Sequence, residues 1–253
     1  MNIVVNPICK HLESFIQSLP SIFDQEGEII YEGRNMLKVY EVNGIKLTVK
    51  SFKIPHLINQ AAYSFFRKSK AERSYEFGMG ILRKGINTPV PIAYIEQHCV
   101  GLLRRSYYIS EYCDYDRSFR EFDLRPGTFI KKKNVLLAFA DFTVAMHEAG
   151  IYHEDYSNGN ILFKEKDGNI LFSVIDINRV TFGPVGLQKA YKAFRRLCAG
   201  EEMLCIIAER YAELRNFNTE ECVRKMKYYN DRTMKPTPLE EWPPLEEERV
   251  AKI

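Results

Sequence analysis

IYHEDYSNGNIL, at residues 151–162, is the stretch that decides the fold. An amphipathic helical pattern precedes it at 134–149, and two short apolar runs joined by an Asp-Gly turn follow it. His153, Asp155 and Asn160 are its polar residues of interest, and Asp176 ends the second apolar run. These residues could simply stabilise a polar turn and cap a strand. The surrounding helix and hairpin favour a functional site, because a hairpin brings the residues just before it close to the residues just after it.

The spacing of these residues carries a specific chemistry. H-x-D-x-x-x-x-N, followed by two apolar residues and Asp, is typical of kinase-fold enzymes. Phosphoryl transfer requires a carboxylate within hydrogen-bond reach of the acceptor hydroxyl and a metal clamp on the phosphates of the nucleotide. Carboxylate and amide oxygens are the hard ligands that Mg²⁺ prefers. We therefore predict that Asp155 is the catalytic carboxylate, and that Asn160 and Asp176 bind Mg²⁺.

The chain before this stretch has the pattern of a small antiparallel sheet interrupted by helix, and the chain after it is mostly helical. Asn43-Gly44 is a strong hairpin signal between the second and third strands. Strand-like runs cover 28–31, 37–42, 45–52, 92–96, 106–113, 161–164 and 170–175. Helical patterns cover 54–70, 69–84 and 134–149, with two or three more between Gly186 and about Asp231.

This order of elements predicts an α+β, two-lobed protein-kinase-like fold with a β-rich N-lobe and an α-rich C-lobe. We expect the N-lobe at 1–113 and the C-lobe at 114–233. The remainder, 234–253, is rich in proline and glutamate and is expected to be a flexible tail. A chain of 253 residues is long enough to bury a substantial core.

A second group of site residues is expected in the N-lobe, because kinases hold the α- and β-phosphates of ATP with a strand lysine paired to a helical glutamate. Lys50 ends the strand after the Asn-Gly hairpin and is the predicted lysine. Glu76 and Glu72 lie one turn apart on the following helix, and we favour Glu76. The four residues Lys50, Asp155, Asn160 and Asp176 are thus predicted to converge on one magnesium–nucleotide.

The remaining nucleotide contacts are less distinctive in the sequence. The turn containing Gly33 and Arg34 has one glycine where protein kinases have three, but its backbone N–H groups and arginine could cover phosphate. Adenine should meet backbone groups of the link between the lobes. Glu111, Tyr112 and Cys113 are the candidates there.

The composition of the chain limits the kinds of binding partner and the cellular compartment that we expect. The formal net charge of +3 is too small to imply nucleic acid, and runs of basic residues such as Arg67-Lys68, Lys131–Lys133 and Arg195-Arg196 permit an anionic substrate or membrane surface without demanding either. Six scattered cysteines without a C-x-x-C pair fit reduced thiols in a cytoplasm. We find no signal-peptide pattern and no stretch of about 20 apolar residues, so a soluble or peripheral protein is expected.

His153-Glu154-Asp155, Asn160-Ile161-Leu162, Ile175-Asp176 and the segment GINTPVPIA at 85–93 together resemble the lipopolysaccharide kinase family of bacteria, which includes Kdo and heptose kinases. The resemblance covers 33–179. It implies a two-lobed kinase-like fold and ATP-dependent, Mg²⁺-assisted phosphorylation of a sugar hydroxyl in the inner core of lipopolysaccharide. It also implies a place at the cytoplasmic face of the inner membrane.

Departures from the protein-kinase pattern bear on the acceptor. Glu154 replaces the arginine that pairs with a phosphorylated activation loop, and Ser157 stands where serine/threonine kinases have a lysine. Asp176-Ile177-Asn178 replaces D-F-G, and no A-P-E follows. These changes favour a small-molecule or glycolipid acceptor over a protein.

Other functions stay open at this point. An aminoglycoside-like antibiotic or a protein could be the acceptor, and a pseudokinase could bind nucleotide without catalysis; the intact set of four site residues favours an enzyme. The apolar stripe at 54–66, with Phe65 and Phe66 before a basic end, either rests on an anionic membrane or packs on the N-lobe. The sequence does not indicate an oligomeric state.

Overall fold

The computed structural model describes residues 1–53, 68–122, 133–197 and 199–233. The described residues form two compact units, one within Met1–Arg83 and Thr88–Asp114 and the other comprising Lys84–Asn87 and the described residues that follow Asp114. The predicted helical stripe at 54–66 and the tail at 234–253 lie outside the described residues.

The first unit is built on a six-stranded antiparallel sheet. Its strand order is β1-β5-β6-β4-β3-β2. The strands are β1 (Asn2–Val5), β2 (Glu28–Glu32), β3 (Met36–Val42), β4 (Ile45–Phe52), β5 (Pro91–Cys99) and β6 (Leu102–Glu111), with helices α1 (Glu13–Ile22) and α2 (Lys70–Arg83). Asn43 and Gly44 both have positive φ, as the two-residue turn between β3 and β4 requires.

Alternating side chains of β4 explain how helices cover both faces of this sheet. Leu47 and Val49 are fully buried in the cluster that includes Ile16 and Leu19 of α1. Phe52 points to the other face, where it packs in a small cluster with Ala71 of α2. The face that carries Phe52 also carries Lys50, because the two residues are separated by one position.

Lys38 is a buried charged residue that ties β3 to the end of α1. Its Nζ donates to the main-chain oxygens of Phe23 at 2.5 Å and Glu26 at 2.8 Å. Its ammonium also lies 5.0 Å from the centre of the Phe23 ring. A cation is favourable there because the last carbonyls of a helix lack intrahelical partners.

The second unit consists of helices and two small sheets. Its strands pair in the orders β10-β9-β7 and β11-β8. The strands are β7 (Arg117–Ser118), β8 (Ile151–His153), β9 (Ile161–Lys166), β10 (Asn169–Val174) and β11 (Val180–Phe182), and the helices are α3 (Lys133–Glu148), α4 (Leu187–Ala193), α5 (Glu201–Arg215) and α6 (Thr219–Thr233).

Aromatic side chains fill the core of the second unit around Phe139 of α3, which is fully buried. Its ring centre lies 4.2 Å from that of Phe119, 5.6 Å from that of Tyr156 and 6.1 Å from that of Phe194. Tyr156 belongs to the loop after β8, and Phe194 follows α4. This core therefore fixes the loop and the end of α4 to the same helix.

Most predicted elements agree with the structure within a few residues, including the hairpins at Asn43-Gly44 and Asp167-Gly168. The strands β1, β7, β8 and β11 were not predicted individually. The last three have only two or three residues, which is too short for an alternating pattern.

Candidate active site

His153, at the end of β8, fixes the main chain on both sides of the predicted site. Its Nδ1 accepts a hydrogen bond from the N–H of Asp155 at 3.1 Å, and its Nε2 lies 3.1 Å from the carbonyl oxygen of Ile175. Because Nδ1 is the acceptor, Nε2 carries the proton and donates. Burial lowers the pKa of His153, which keeps the ring neutral and this tautomer in place.

Asn160 closes the loop that begins at Asp155. Its side-chain Nδ2 donates to the main-chain oxygen of Asp155 at 2.8 Å, and the N–H of Ser157 donates to the same oxygen at 2.9 Å. Only the nitrogen of the amide can donate to a carbonyl, so the amide orientation is fixed chemically. The other atom, Oδ1, is the one that can bind a cation.

Asp176 lies two residues after the end of β10, next to Ile175, which bonds to Asn160. The N–H of Ile175 donates to the main-chain oxygen of Asn160 at 3.0 Å, so the two predicted metal ligands are neighbours along this ladder. Asp176 adopts a left-handed conformation with φ 54° and ψ 47°, which few residues adopt except at special positions. Buried Asn178 donates to its Oδ1 at 2.5 Å.

Asn160 and Asp176 supply hard oxygen donors that suit Mg²⁺. No group of three or more His, Cys, Asp or Glu side chains arranged for a metal occurs among the described residues. A cation held here would thus take further ligands from phosphate and water, which is the usual way proteins bind Mg²⁺ with nucleotides.

Asp155 forms an ion pair that the sequence did not reveal. Its Oδ1 lies 2.9 Å from Nε of Arg196, and its side chain is partly exposed. Arg196 ends the short 3₁₀ helix after α4. The sequence marked Arg195-Arg196 only as a basic run, and its distance along the chain from Asp155 gave no signal of the contact.

In the first unit, Lys50 lies on β4 opposite Leu37 of β3 and Tyr108 of β6. Its side chain is half-buried, with Nζ 5.5 Å from the centre of the Phe52 ring. Phe52 packs on Ala71 of α2. Lys50 therefore lies on the strand after the Asn-Gly hairpin, as predicted, and its binding of phosphate stays a prediction.

The two candidate glutamates of α2 both contact Lys68. Its Nζ lies 3.6 Å from Glu72, and it forms a closer ion pair with Glu76. Burial raises the pKa of Glu72, and Lys68 opposes that rise. Pairing of either glutamate with Lys50 stays a prediction. The sequence gave Lys68 no role beyond a basic helix end.

The turn between β2 and β3 carries Gly33 and Arg34. A Cβ on Gly33 would lie 2.6 Å from the hydroxyl of Tyr31, so the glycine lets the Tyr31 ring cover the turn. Leu37 of β3 pairs with both Tyr31 and Lys50. The turn thus lies at the same end of the sheet as Lys50.

The predicted adenine contacts follow β6. The N–H of Glu111 donates to the oxygen of Val90, and the N–H of Tyr112 donates to the oxygen of Lys46, each at 2.9 Å. These two donors are engaged within the unit. Adenine recognition in this segment stays a prediction. The backbone groups that we expect to contact adenine are the carbonyl of Glu111 and the main chain of Cys113.

Comparison with known proteins places this arrangement in a family. The model of the lipopolysaccharide kinase (Kdo/WaaP) family matches residues 34–197. This chain belongs to that family. The match includes Lys50 and the whole stretch from His153 to Arg196, and it identifies the protein as a kinase.

Among solved structures, this lipopolysaccharide kinase family member resembles "WaaP in complex with acyl carrier protein", with a TM-score of 0.61 and 16% sequence identity over 93% of this chain and 100% of that one. At this identity the likeness establishes the fold alone. As many as 1268 solved chains match, so the fold by itself does not indicate the acceptor. No curated protein matches the sequence.

These findings confirm the predicted family, the α+β kinase-like fold and the enzyme class. The antiparallel sheet of the first unit and the helices of the second are those of a kinase-like fold. Within the part of the chain that the structure describes, none of the helices of this kinase family member has the length and apolar character needed to span a bilayer.

Proposed function

We propose that this enzyme transfers the γ-phosphoryl group of ATP to a hydroxyl of a Kdo or heptose residue in the lipopolysaccharide inner core, or of a related glycolipid. The observation that carries the proposal is the fixed main chain of Asp155. Its N–H is held by His153 and its oxygen by Asn160. A catalytic carboxylate requires this kind of positioning, because phosphoryl transfer depends on geometry and charge more than on covalent chemistry.

In the proposed step, the carboxylate of Asp155 accepts a hydrogen bond from the acceptor hydroxyl and takes its proton. The hydroxyl oxygen forms a bond to the γ-phosphorus as the bond from that phosphorus to the bridging oxygen breaks, and ADP leaves. Asn160 and Asp176 would hold Mg²⁺ through their side-chain oxygens. When bound, this ion neutralises the charge that develops on the phosphates.

The first unit supplies the proposed contacts to ATP. Lys50 binds the α- and β-phosphates, and the turn with Gly33 and Arg34 covers them. The segment Glu111–Cys113 accepts the adenine through backbone groups. The half-buried position of Lys50 beside Phe52 supports its role, because a partly desolvated ammonium interacts more strongly with phosphate.

The acceptor also determines the proposed location, the cytoplasmic face of the inner membrane, where a peripheral enzyme meets a lipid-linked sugar. A second candidate is a protein partner or acceptor. The neighbouring WaaP structure was solved with acyl carrier protein, which favours testing a protein partner for this chain. Aminoglycoside acceptors and a pseudokinase remain alternatives that the same experiment addresses.

The test is an assay of ADP release and of phosphate incorporation with ATP and Mg²⁺. Kdo–lipid A, heptosylated core, an aminoglycoside and a generic protein are offered separately as acceptors. Asp155→Asn should abolish transfer to the sugar acceptor. The matched control is Asp167→Asn, an exposed hairpin position with positive φ that Asn tolerates. Transfer to the aminoglycoside or protein alone, or no transfer to any acceptor, would contradict the proposal.

A further inference from the structure

The segment of the predicted catalytic residue Asp155 contains acidic residues and neither lysine nor arginine. Residues 151–162 include Glu154 and Asp155 but neither lysine nor arginine, and Ser157 occupies the position at which serine/threonine kinases have a lysine. Positive charge next to Asp155 must therefore come from another part of the chain. In the structure it comes from Arg196.

Arg196 is held beside the loop by its neighbours. Phe194, two residues earlier, is fully buried against Phe139 and Tyr211. Arg195 donates to the hydroxyl of Tyr152 on β8 at 3.2 Å and lies 3.9 Å from Glu154. The segment that carries the two arginines is thus fixed to α3 and α5 by packing and to β8 by a hydrogen bond.

Further cations lie on the same segment. Nζ of Lys189 on α4 lies 5.6 Å from the centre of the Tyr152 ring, and Nζ of Lys192 lies 5.4 Å from that of Tyr229. Lys189 and Lys192 are exposed, as is Arg196. The chain from α4 to Arg196 therefore carries three exposed cations, of which Arg196 contacts the predicted catalytic carboxylate.

The ion pair between Arg196 and Asp155 leaves most of the guanidinium available. The contact is made by Nε, whereas the planar group has further N–H donors on both terminal nitrogens. The Arg196 side chain is 45% exposed, and among the described residues Asp155 is its one ion-pair partner. An ion pair this exposed contributes at most about 1 kcal/mol to the free energy of unfolding. Stabilising the fold is therefore not a sufficient reason for an arginine at this position.

We propose that Arg196 binds an anionic group of the acceptor, so that the enzyme takes sugars that carry a carboxylate or a phosphate beside the reacting hydroxyl. This inference rests on the proposed function and specifies its substrate class. Arginine suits the task because its fork of N–H groups matches the two oxygens of a carboxylate or phosphate. Holding Asp155 through Nε and the acceptor through the terminal nitrogens would bring the hydroxyl to the carboxylate.

The test compares two pairs of acceptors with the intact enzyme. One pair is a Kdo glycoside and its methyl ester, which loses the negative charge and keeps every hydroxyl. The other is a heptose disaccharide with and without a phosphate on the neighbouring sugar. These two arms distinguish a carboxylate from a phosphate as the recognised group.

Arg196→Ala should raise KM for the anionic member of one pair by about 10-fold or more, which is the expected loss of charge-assisted hydrogen bonds. It should leave KM for the neutral member within about twofold, and Arg196→Lys should recover part of the loss. Arg224→Ala, which removes a charge from an exposed position on α6, is the control.

Three results would overturn the inference. Equal KM values of the unaltered enzyme for both members of each pair would leave the proposed function standing and remove the anion preference. A fall in kcat for all acceptors with unchanged KM would mean that Arg196 only orients Asp155. No phosphorylation of any of these sugars would remove the proposed function and this inference with it.

Discussion

The side-chain amide of Asn160 donates a hydrogen bond to the main-chain oxygen of Asp155 at 2.8 Å. One residue thus combines two tasks, since its nitrogen positions the predicted catalytic residue while its oxygen is the predicted metal ligand. The two tasks can be separated by changing the two ends of this side chain independently.

Asn160→Asp keeps an oxygen for the cation and removes the donor to Asp155. We expect kcat to fall by about 10-fold to 100-fold, because removing the donor leaves the main-chain oxygen of Asp155 without this partner, at a cost of roughly 1–3 kcal/mol. The Mg²⁺ concentration needed for half-maximal activity should change little. Asn160→Ala, which removes both ends, should raise that concentration as well. Identical Mg²⁺ dependence in the two variants would show that Asn160 is not a metal ligand.

Asp155 and Asp176 should have different effects when truncated. Asp155→Ala should lower phosphotransfer by about 10²–10⁴-fold, the usual contribution of a positioned acid or base, while ATP binding measured by calorimetry with Mg²⁺ persists. Asp176→Ala should instead abolish Mg²⁺-dependent ATP binding, because it removes the charged ligand of the proposed ion. Full turnover by Asp155→Ala on the true acceptor would refute the catalytic assignment.

Residues of the candidate site that are close together in the sequence are predictable, and those that are far apart are not. Asp155, Asn160 and Asp176 belong to one loop and one hairpin, so local spacing is enough to bring them together. Lys50 could be assigned to its strand because the Asn-Gly turn fixes that strand, whereas its role in the site stays a prediction. Arg196 was not identifiable as a partner of Asp155, since contacts of the folded chain, such as the packing of Phe194 in the core, bring the two together.

Two features of the first unit were hidden for different reasons. The strand β1 pairs with β5, far away in sequence, and its four residues carry little periodic signal. The sequence gave no sign that Lys38 is buried, because lysines are seldom buried. Its burial depends on the carbonyls at the end of α1, which only the folded chain places around it.

Lys38→Met tests that buried contact. Methionine fills a similar volume but cannot donate to the oxygens of Phe23 and Glu26, which would lose their shared partner. We expect the free energy of unfolding to fall by about 1–3 kcal/mol, measured by urea denaturation. Lys46→Met, an exposed substitution on β4, is the control and should change it by less than about 0.5 kcal/mol. Equal effects of the two substitutions would contradict the interpretation.

His147 makes stability depend on pH. Its Nδ1 lies 2.7 Å from the hydroxyl of Tyr211, and burial, with a smaller effect of the Arg215 charge, lowers its pKa to about 3. Below pH 6.5 the unfolded chain binds a proton that the folded ring does not, so the free energy of unfolding falls as pH decreases. His153, whose pKa is also lowered by burial, acts in the same direction.

His147 should remove about 2 kcal/mol of the free energy of unfolding between pH 7 and pH 5, measured by denaturation at the two pH values. His147→Phe should make the difference between the two pH values smaller by that amount, whatever its effect on stability at pH 7. His98→Gln, at an exposed position, should leave the difference unchanged. A pH dependence that survives His147→Phe intact would show that the folded state accommodates a protonated ring.

Val100 is a residue whose replacement should stabilise the protein. It precedes Gly101 in the two-residue turn between β5 and β6, where Cys99 pairs with Leu102. Both turn residues have positive φ, 50° for Val100 and 76° for Gly101. A β-branched side chain is strained in this region, and Val100 is 95% exposed, so it gains no compensating burial.

Val100→Asn creates the Asn-Gly pair that such turns favour. We expect the free energy of unfolding to rise by about 1 kcal/mol, because a left-handed conformation costs ordinary residues about 1–2 kcal/mol and asparagine much less. Asp167→Asn is the matched control. Asp167 has a φ of 52° in an equivalent turn, and aspartate, like asparagine, adopts the left-handed conformation at little cost. A gain confined to Val100→Asn would locate the strain in the β-branched side chain, whereas no gain would mean that the turn relaxes without cost.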